Sequence, residues 1–137
     1  MQDAIVLDTN KVFSALLKPS PIREILLDNK YRFVAPNFIS VEIFKHYPKI
    51  LKFSIHSPEE IVNLYESFTE NLEFFVPGKI SLLNRQRAYE LTHDIDLKDM
   101  VYVALTLEVD GKLWTGDKEL KQGLLRKGFD RFFDPQQ

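Results

Sequence analysis

Apolar positions fall into short continuous runs that alternate with stretches of helical spacing from one end of the chain to the other. Ile5-Val6-Leu7 is the first run; it ends at Asp8 and predicts a buried strand. Thr9 and Asn10 then open a helix through Val12, Phe13, Leu16 and Leu17, which Lys18-Pro19-Ser20-Pro21 breaks. Ile22 to Leu27 predicts a second short helix, with Asp28-Asn29 as its exit. Arg32-Phe33-Val34-Ala35 predicts a second strand, closed by Pro36. Asn37 is placed to cap a helix carrying Phe38, Ile39, Val41, Glu42 and Phe44. Ser57-Pro58-Glu59-Glu60 is a helix start with a capping box, followed by Ile61, Leu64, Tyr65 and Phe68 at helical spacing.

The second half repeats the alternation. Glu73 to Val76 predicts a third strand, stopped by Pro77-Gly78. Ser81 to Thr92 and Asp96 to Val109 predict helices; the middle of the latter, Met100 to Leu107, is apolar on nearly every side. Periodicity does not separate helix from strand there, but the length, Ala104 and the acidic first turn favour a helix buried between layers. Lys112 to Thr115 predicts a fourth strand, Asp117 opens a helix through Leu120, Leu124 and Leu125, and Gly128 ends it. Arg131-Phe132-Phe133 predicts a fifth, edge strand. Strands alternating with helices predict an α/β fold: a three-layer α/β/α sandwich on a mostly parallel sheet of about five strands.

At 137 residues, with no internal repeat or linker-like stretch, the expectation is a single domain over 1–137. The chain has no cysteine, which excludes disulfides, zinc-thiolate sites and a cysteine nucleophile. His46, His56 and His93 have no zinc-motif spacing and are expected to be surface or structural. The start of the chain lacks a basic segment, and its apolar run is too short for a signal peptide. No run reaches the ~18 apolar residues of a membrane span. The expected location is the cytoplasm. A net charge of −2 argues against a protein that coats nucleic acid non-specifically. An RNA-directed activity would therefore need a local cation to offset phosphate repulsion.

Ligands of parallel α/β sheets bind beyond the carboxyl ends of the strands. Asp8 and Asp117 follow predicted strands, Glu42 lies early in the helix after the second strand, and Asp99 lies in the first turn of the apolar helix. All four are expected at one rim of the sheet. Carboxylates gathered there repel one another and shift one another's protonation, at about 1.4 kcal/mol per pKa unit. A bound cation relieves that repulsion, and hard oxygen donors suit Mg²⁺ or Mn²⁺. Such an ion could activate water and stabilise a leaving oxygen, which is the chemistry of phosphodiester hydrolysis.

The motifs that carry these acids resemble those of the PIN-domain family over nearly the whole chain. Val6-Leu7-Asp8-Thr9-Asn10 resembles its first acidic motif and Ser40-Val41-Glu42-Ile43 its second. Asp96-Leu97-Lys98-Asp99-Met100-Val101-Tyr102-Val103-Ala104 resembles the third, and Leu113-Trp114-Thr115-Gly116-Asp117-Lys118-Glu119-Leu120 the fourth. The resemblance implies a metal-dependent endoribonuclease with Asp8, Glu42, Asp99 and Asp117 as catalytic acids. It implies Asp8 and Asp99 as the most direct metal ligands, with Asp117, and Asp96 as an additional acid. Asn10 and Thr115 become supporting polar groups, and Lys98 and Lys118 become contacts to substrate phosphate. Many members of this size are toxins held by a small antitoxin protein, and the resemblance also implies a homodimer.

Each acid has an ordinary local reading as well. Asp8 is a turn residue, Glu42 sits at a favourable helix end, and Asp96 and Asp117 are good caps. The basic runs Lys45-Lys49-Lys52 and Lys121-Arg126-Lys127-Arg131 line either an RNA path or a solvated helix face. Rival functions are weaker matches. A haloacid-dehalogenase-type phosphatase wants a second acid where Asn10 stands, and a phospho-receiver wants an Asp after the third strand, where Pro77-Gly78-Lys79 stands. The non-enzyme alternative is a catalytically inactive PIN-like RNA-binding or scaffold module.

Overall fold

A computed structural model describes residues 3–135. Strand β1 (Ala4–Leu7) is buried at all four positions, as a strand covered on both faces must be. Ile5 and Leu7 face one apolar cluster, and Ala4 and Val6 face the other. β1 pairs in parallel with β2 (Arg32–Pro36) on one side and β4 (Lys112–Trp114) on the other. β2 in turn pairs with β3 (Leu72–Phe75), giving a parallel sheet in the order β3-β2-β1-β4. The chain thus builds outward from β1 to β3, then crosses back to place β4 on the far side of β1. That reversal opens a crevice at the carboxyl ends of β1 and β4, where Leu7 is in register with Trp114.

One face of the sheet is covered by α1 (Thr9–Leu17), α2 (Pro21–Leu27), α3 (Ile39–Lys45), α4 (Tyr47–Phe53) and α5 (Pro58–Glu70). The other is covered by α6 (Leu82–Thr92), α7 (Met100–Glu108) and α8 (Lys118–Arg126). This is the expected α/β/α sandwich. α7 lies between the sheet and α6, and its residues Tyr102 to Thr106 are consecutively buried. A helix wrapped on every side needs no amphipathic stripe, which explains its unbroken apolar run. The α5 capping box forms as the sequence predicts: Ser57 Oγ accepts from the Glu60 amide at 3.2 Å, and Glu60 Oε1 accepts from the Ser57 amide at 2.9 Å. α8 ends at Gly128, whose φ of +88° is the left-handed conformation that glycine adopts without steric penalty.

The structure corrects several expectations. Four strands form among the described residues, not about five. Arg131-Phe132-Phe133 contributes an isolated parallel bridge to Leu113, because Phe132 and Phe133 pack into opposite apolar clusters and the segment departs after one ladder step. The helix after β2 starts at Ile39 without a side-chain cap, and the Asn37 amide instead donates to the Phe75 carbonyl at 3.0 Å. Pro48 opens a separate helix, α4, that the hydrophobic pattern did not reveal. The segment read as one helix from Asp96 begins with a 3₁₀ turn, Leu97–Asp99, before α7. Among the described residues, no helix is long and apolar enough to cross a membrane.

Candidate active site

Asp8 leaves the end of β1 and caps α1, its Oδ1 accepting from the Lys11 amide at 3.3 Å. Asp117 leaves β4 and caps α8, its Oδ1 accepting from the Leu120 amide at 3.1 Å. The Asp117 amide donates to Thr115 Oγ1 at 3.1 Å, so Thr115 shapes the turn that presents this acid. Asp96 caps the 3₁₀ turn, with Oδ1 accepting from the Lys98 amide at 3.0 Å. Asp99 stands at the start of α7 with no side-chain cap bond, and Glu42 lies in the first turn of α3. The starts of α1, α3 and α8 converge because β1, β2 and β4, which feed them, are parallel and exit at one edge; α7 follows α6 and runs from that same edge back to β4, which brings Asp96 and Asp99 there too.

One cleft of about 930 Å³ collects all five acids, Asp8, Glu42, Asp96, Asp99 and Asp117, with Asn10 and Lys98 on its walls. The electrostatics bear the mark of that gathering. Burial, then Asp96, Asp8 and Asp117, push the Asp99 carboxyl up to about 6. Burial also raises Asp8, against the Lys11 amide and ammonium that lower it. Asp99 also has no backbone amide to stabilise its charged form, whereas Asp8 accepts one from Lys11.

The sequence-level picture of a tight carboxylate cluster is corrected in one respect. Among the described residues, no group of three or more His, Asp or Glu side chains is close enough to hold an ion between them. Asp8, Asp96 and Asp117 are each turned toward a backbone amide, and the acids border a wide cleft rather than meet at a point. The donor set still fits Mg²⁺ or Mn²⁺ in kind. It consists of carboxylates with neighbouring hydroxyl and amide oxygens, and these small hard ions commonly keep several waters and take only one or two carboxylates.

Other expected residues fall differently. Thr115 and Lys118 border an adjoining cleft rather than this one. Lys45 lines the acid cleft, whereas Lys49 and Lys52 are solvent-exposed. In the second basic run, Lys121, Lys127 and Arg131 pair with Asp134, Asp94 and Asp110. That agrees with the solvated-face reading. His93 stacks on Tyr89, its ring centroid 5.1 Å away.

Sequence reasoning missed several cleft residues. Tyr102 shares a hydrogen bond of 3.3 Å with the buried Thr9 hydroxyl, and burial pushes its phenol up to about 12, so it remains a neutral hydrogen-bonding group. A lone tyrosine in an otherwise aliphatic stretch three residues after Asp99 was the available signal. His46, at the junction of α3 and α4, also lines the cleft. Lys11 is half-buried beside Asp8, with its ammonium over the Trp114 ring at 5.0 Å from the centroid. A cation in the first turn of a helix opposes the helix dipole, and that local conflict marks the position.

No curated protein matches the chain at a significant level. The sequence profile of the PIN domain matches residues 6–132, a span that takes in all five acids of the cleft. Members of that family are generally nucleases that use divalent metal ions. The parallel sheet, its flanking helices and the profile match agree, and the chain belongs to the PIN-domain family.

Proposed function

We propose that the chain, as one nuclease domain over 1–137, is a metal-dependent endoribonuclease that hydrolyses RNA phosphodiester bonds. The observation that carries this reading is the meeting of Asp8, Glu42, Asp96, Asp99 and Asp117 around one cleft in a PIN-domain chain. Asp8 and Asp99, with Asp117 and Asp96, would hold Mg²⁺ or Mn²⁺, which when bound supplies charge neutralisation at the phosphate and an acidified water. Asp99 is the acid with most to gain, since its charged form is held at a disadvantage by its neighbours. Glu42, with no cap bond of its own, is placed to orient or deprotonate the attacking water. Asn10 and Lys98 are polar and cationic groups at the wall for the substrate backbone. Lys118 would meet a phosphate further along the strand.

The biological setting proposed is the toxin of a toxin–antitoxin pair, acting in the cytoplasm as a homodimer and restrained by a small antitoxin protein. It rests on the family resemblance and on the size of the chain.

The spread of the acids favours one alternative, an RNA-binding module without turnover. A single assay separates the two. Purified protein with Mn²⁺ or Mg²⁺ is expected to cut single-stranded RNA, to stop in EDTA, and to stop on Asp8→Asn or Asp99→Asn. Binding without cutting would support the inactive module. Cleavage that survives both substitutions and EDTA would overturn the assignment of the site.

A further inference from the structure

A second cleft of about 420 Å³ adjoins the acid cleft; the two share Lys11, Ile22, Gly116 and Asp117. Its floor is Trp114, which is only 4% exposed, and its walls include Ile22 and Ile25 of α2 and Phe133. Cations rim it. The Lys11 ammonium stands over the Trp114 ring, and a Cβ on Gly116 would lie 3.4 Å from that ammonium, so the β4 exit passes directly beneath it. Among the described residues, the Lys118 ammonium makes no hydrogen bond or ion pair, and Lys11 interacts electrostatically with Asp8 of the acid cleft without a direct hydrogen bond. At the far end, Lys121 is paired with Asp134 at 4.0 Å.

We propose that this cleft is a nucleotide subsite of single-stranded RNA, holding the residue next to the phosphate that lies in the acid cleft. The inference rests on the nuclease reading above for what lies next door, but it concerns binding and not hydrolysis. A nucleotide has two chemistries, and the cleft answers both. The apolar wall of Ile22, Ile25 and Phe133 offers a surface for a base, which is recognised without regard to sequence by its flat face. Lys118, which makes no ion pair among the described residues, and Lys11, whose only internal counter-charge there is Asp8 on the acid-cleft side, are the cations offered to the phosphate. The cleft volume lies in the ordinary range for small-ligand sites, about 300–1,000 Å³. Lys11 sits at the junction, so it bridges the phosphate of the subsite and the carboxylates beside it. A lysine that served only the surface would be turned outward to solvent. Lys11 is instead half-buried between the two clefts.

Trp114 is the sole tryptophan of the chain and floors this cleft, so its emission reports on changes there. The full-length protein is titrated in EDTA with a single-stranded oligoribonucleotide, following tryptophan emission and, with a labelled strand, anisotropy. The expected result is a saturable change in emission that tracks binding. Lys11→Met and Lys118→Ala should each weaken binding and flatten the dependence of log affinity on log salt by about 0.7, the value for one phosphate contact on a single strand. An abasic strand of equal length should bind about tenfold more weakly. Lys118 is exposed, so its variant remains informative even where Lys11→Met perturbs folding. RNA bound with tryptophan emission unchanged, or salt slopes unmoved in both variants, overturns the subsite. So does an absence of binding in EDTA. Failure of the nuclease reading looks different: binding and its emission change persist, but added Mn²⁺ brings no cleavage. Where cleavage does occur, the two lysine variants should raise KM more than they lower kcat.

Discussion

Asp99 offers a direct test of whether these carboxylates share one field. Its carboxyl stands at about 6 in the folded chain, against an ordinary value of 3.8. A carboxyl whose folded pKa is raised binds its proton more tightly in the native state. Its contribution to stability is therefore fully present below about pH 4, and is lost as pH rises through about 6. Between these values the shift corresponds to about 3 kcal/mol at 1.36 kcal/mol per unit. Because the group is only partly buried, solvent screening reduces this to about 1–2 kcal/mol. Replacing Asp99 by the near-isosteric asparagine removes the charge and keeps the shape. Metal-free Asp99→Asn should then be more stable than the native chain at pH 7.5, by about 1–2 kcal/mol. For a domain of this size that raises the unfolding midpoint by about 4–7 °C. The gain should shrink steadily as the pH is lowered toward 4. Adding Mn²⁺ should reverse the order, since a ligand that binds only the folded state stabilises it, and the native chain has the better site. The assay is thermal unfolding by circular dichroism in EDTA and in Mn²⁺ across that pH range. An Asp99→Asn protein that melts at or below the native midpoint in EDTA at pH 7.5 would refute the electrostatic reasoning.

Three further outcomes follow from particular contacts. Asp8→Asn should lower metal-dependent RNA cleavage by about 10³-fold, about 4 kcal/mol of barrier, while leaving stability within about 1 kcal/mol, because asparagine caps a helix as well as aspartate does; a large loss of stability would mean that Asp8 serves the fold first. Tyr102→Phe removes the 3.3 Å bond to Thr9, and denaturant unfolding should show a loss of about 0.5–1.5 kcal/mol. Gly123 lies where α8 meets Ile95, and a Cβ there would collide with the Ile95 side chain. Gly123→Ala should accordingly destabilise by about 1–3 kcal/mol, and an unchanged denaturant midpoint would show that Ile95 repacks freely.

Much of this molecule is written in local pattern. The strand Ile5-Val6-Leu7, the Ser57–Glu60 capping box and the stop at Gly128 depend on neighbours within a few residues, so they are legible in sequence. The acids were legible for the same reason, since each follows a strand or opens a helix. Expectation failed where distant contacts decide. Whether Arg131-Phe132-Phe133 extends a ladder depends on which cluster each phenylalanine enters, not on its β propensity. Asn37 does not cap α3: its backbone amide continues the β2–β3 ladder to the Phe75 carbonyl, and the helix starts two residues later, at Ile39.

By itself, then, the sequence determined the alternation of the four strands with helices, and which acids stand at strand exits. Those follow from hydrophobic period, caps and breakers, all short-range. Tertiary structure alone decided that β4 returns beside β1, which brings Asp117 to Asp8, and that Asp99 is half-buried without a backbone donor. It also decided that the acids border a wide cleft rather than close into a cage, and that Lys11 lies over Trp114. These are relations between side chains far apart in sequence, such as Asp8 with Asp117 and Lys11 with Trp114. Burial, repulsion and hydrogen-bond competition there are fixed by how the two helical layers pack on the sheet, which no local pattern encodes.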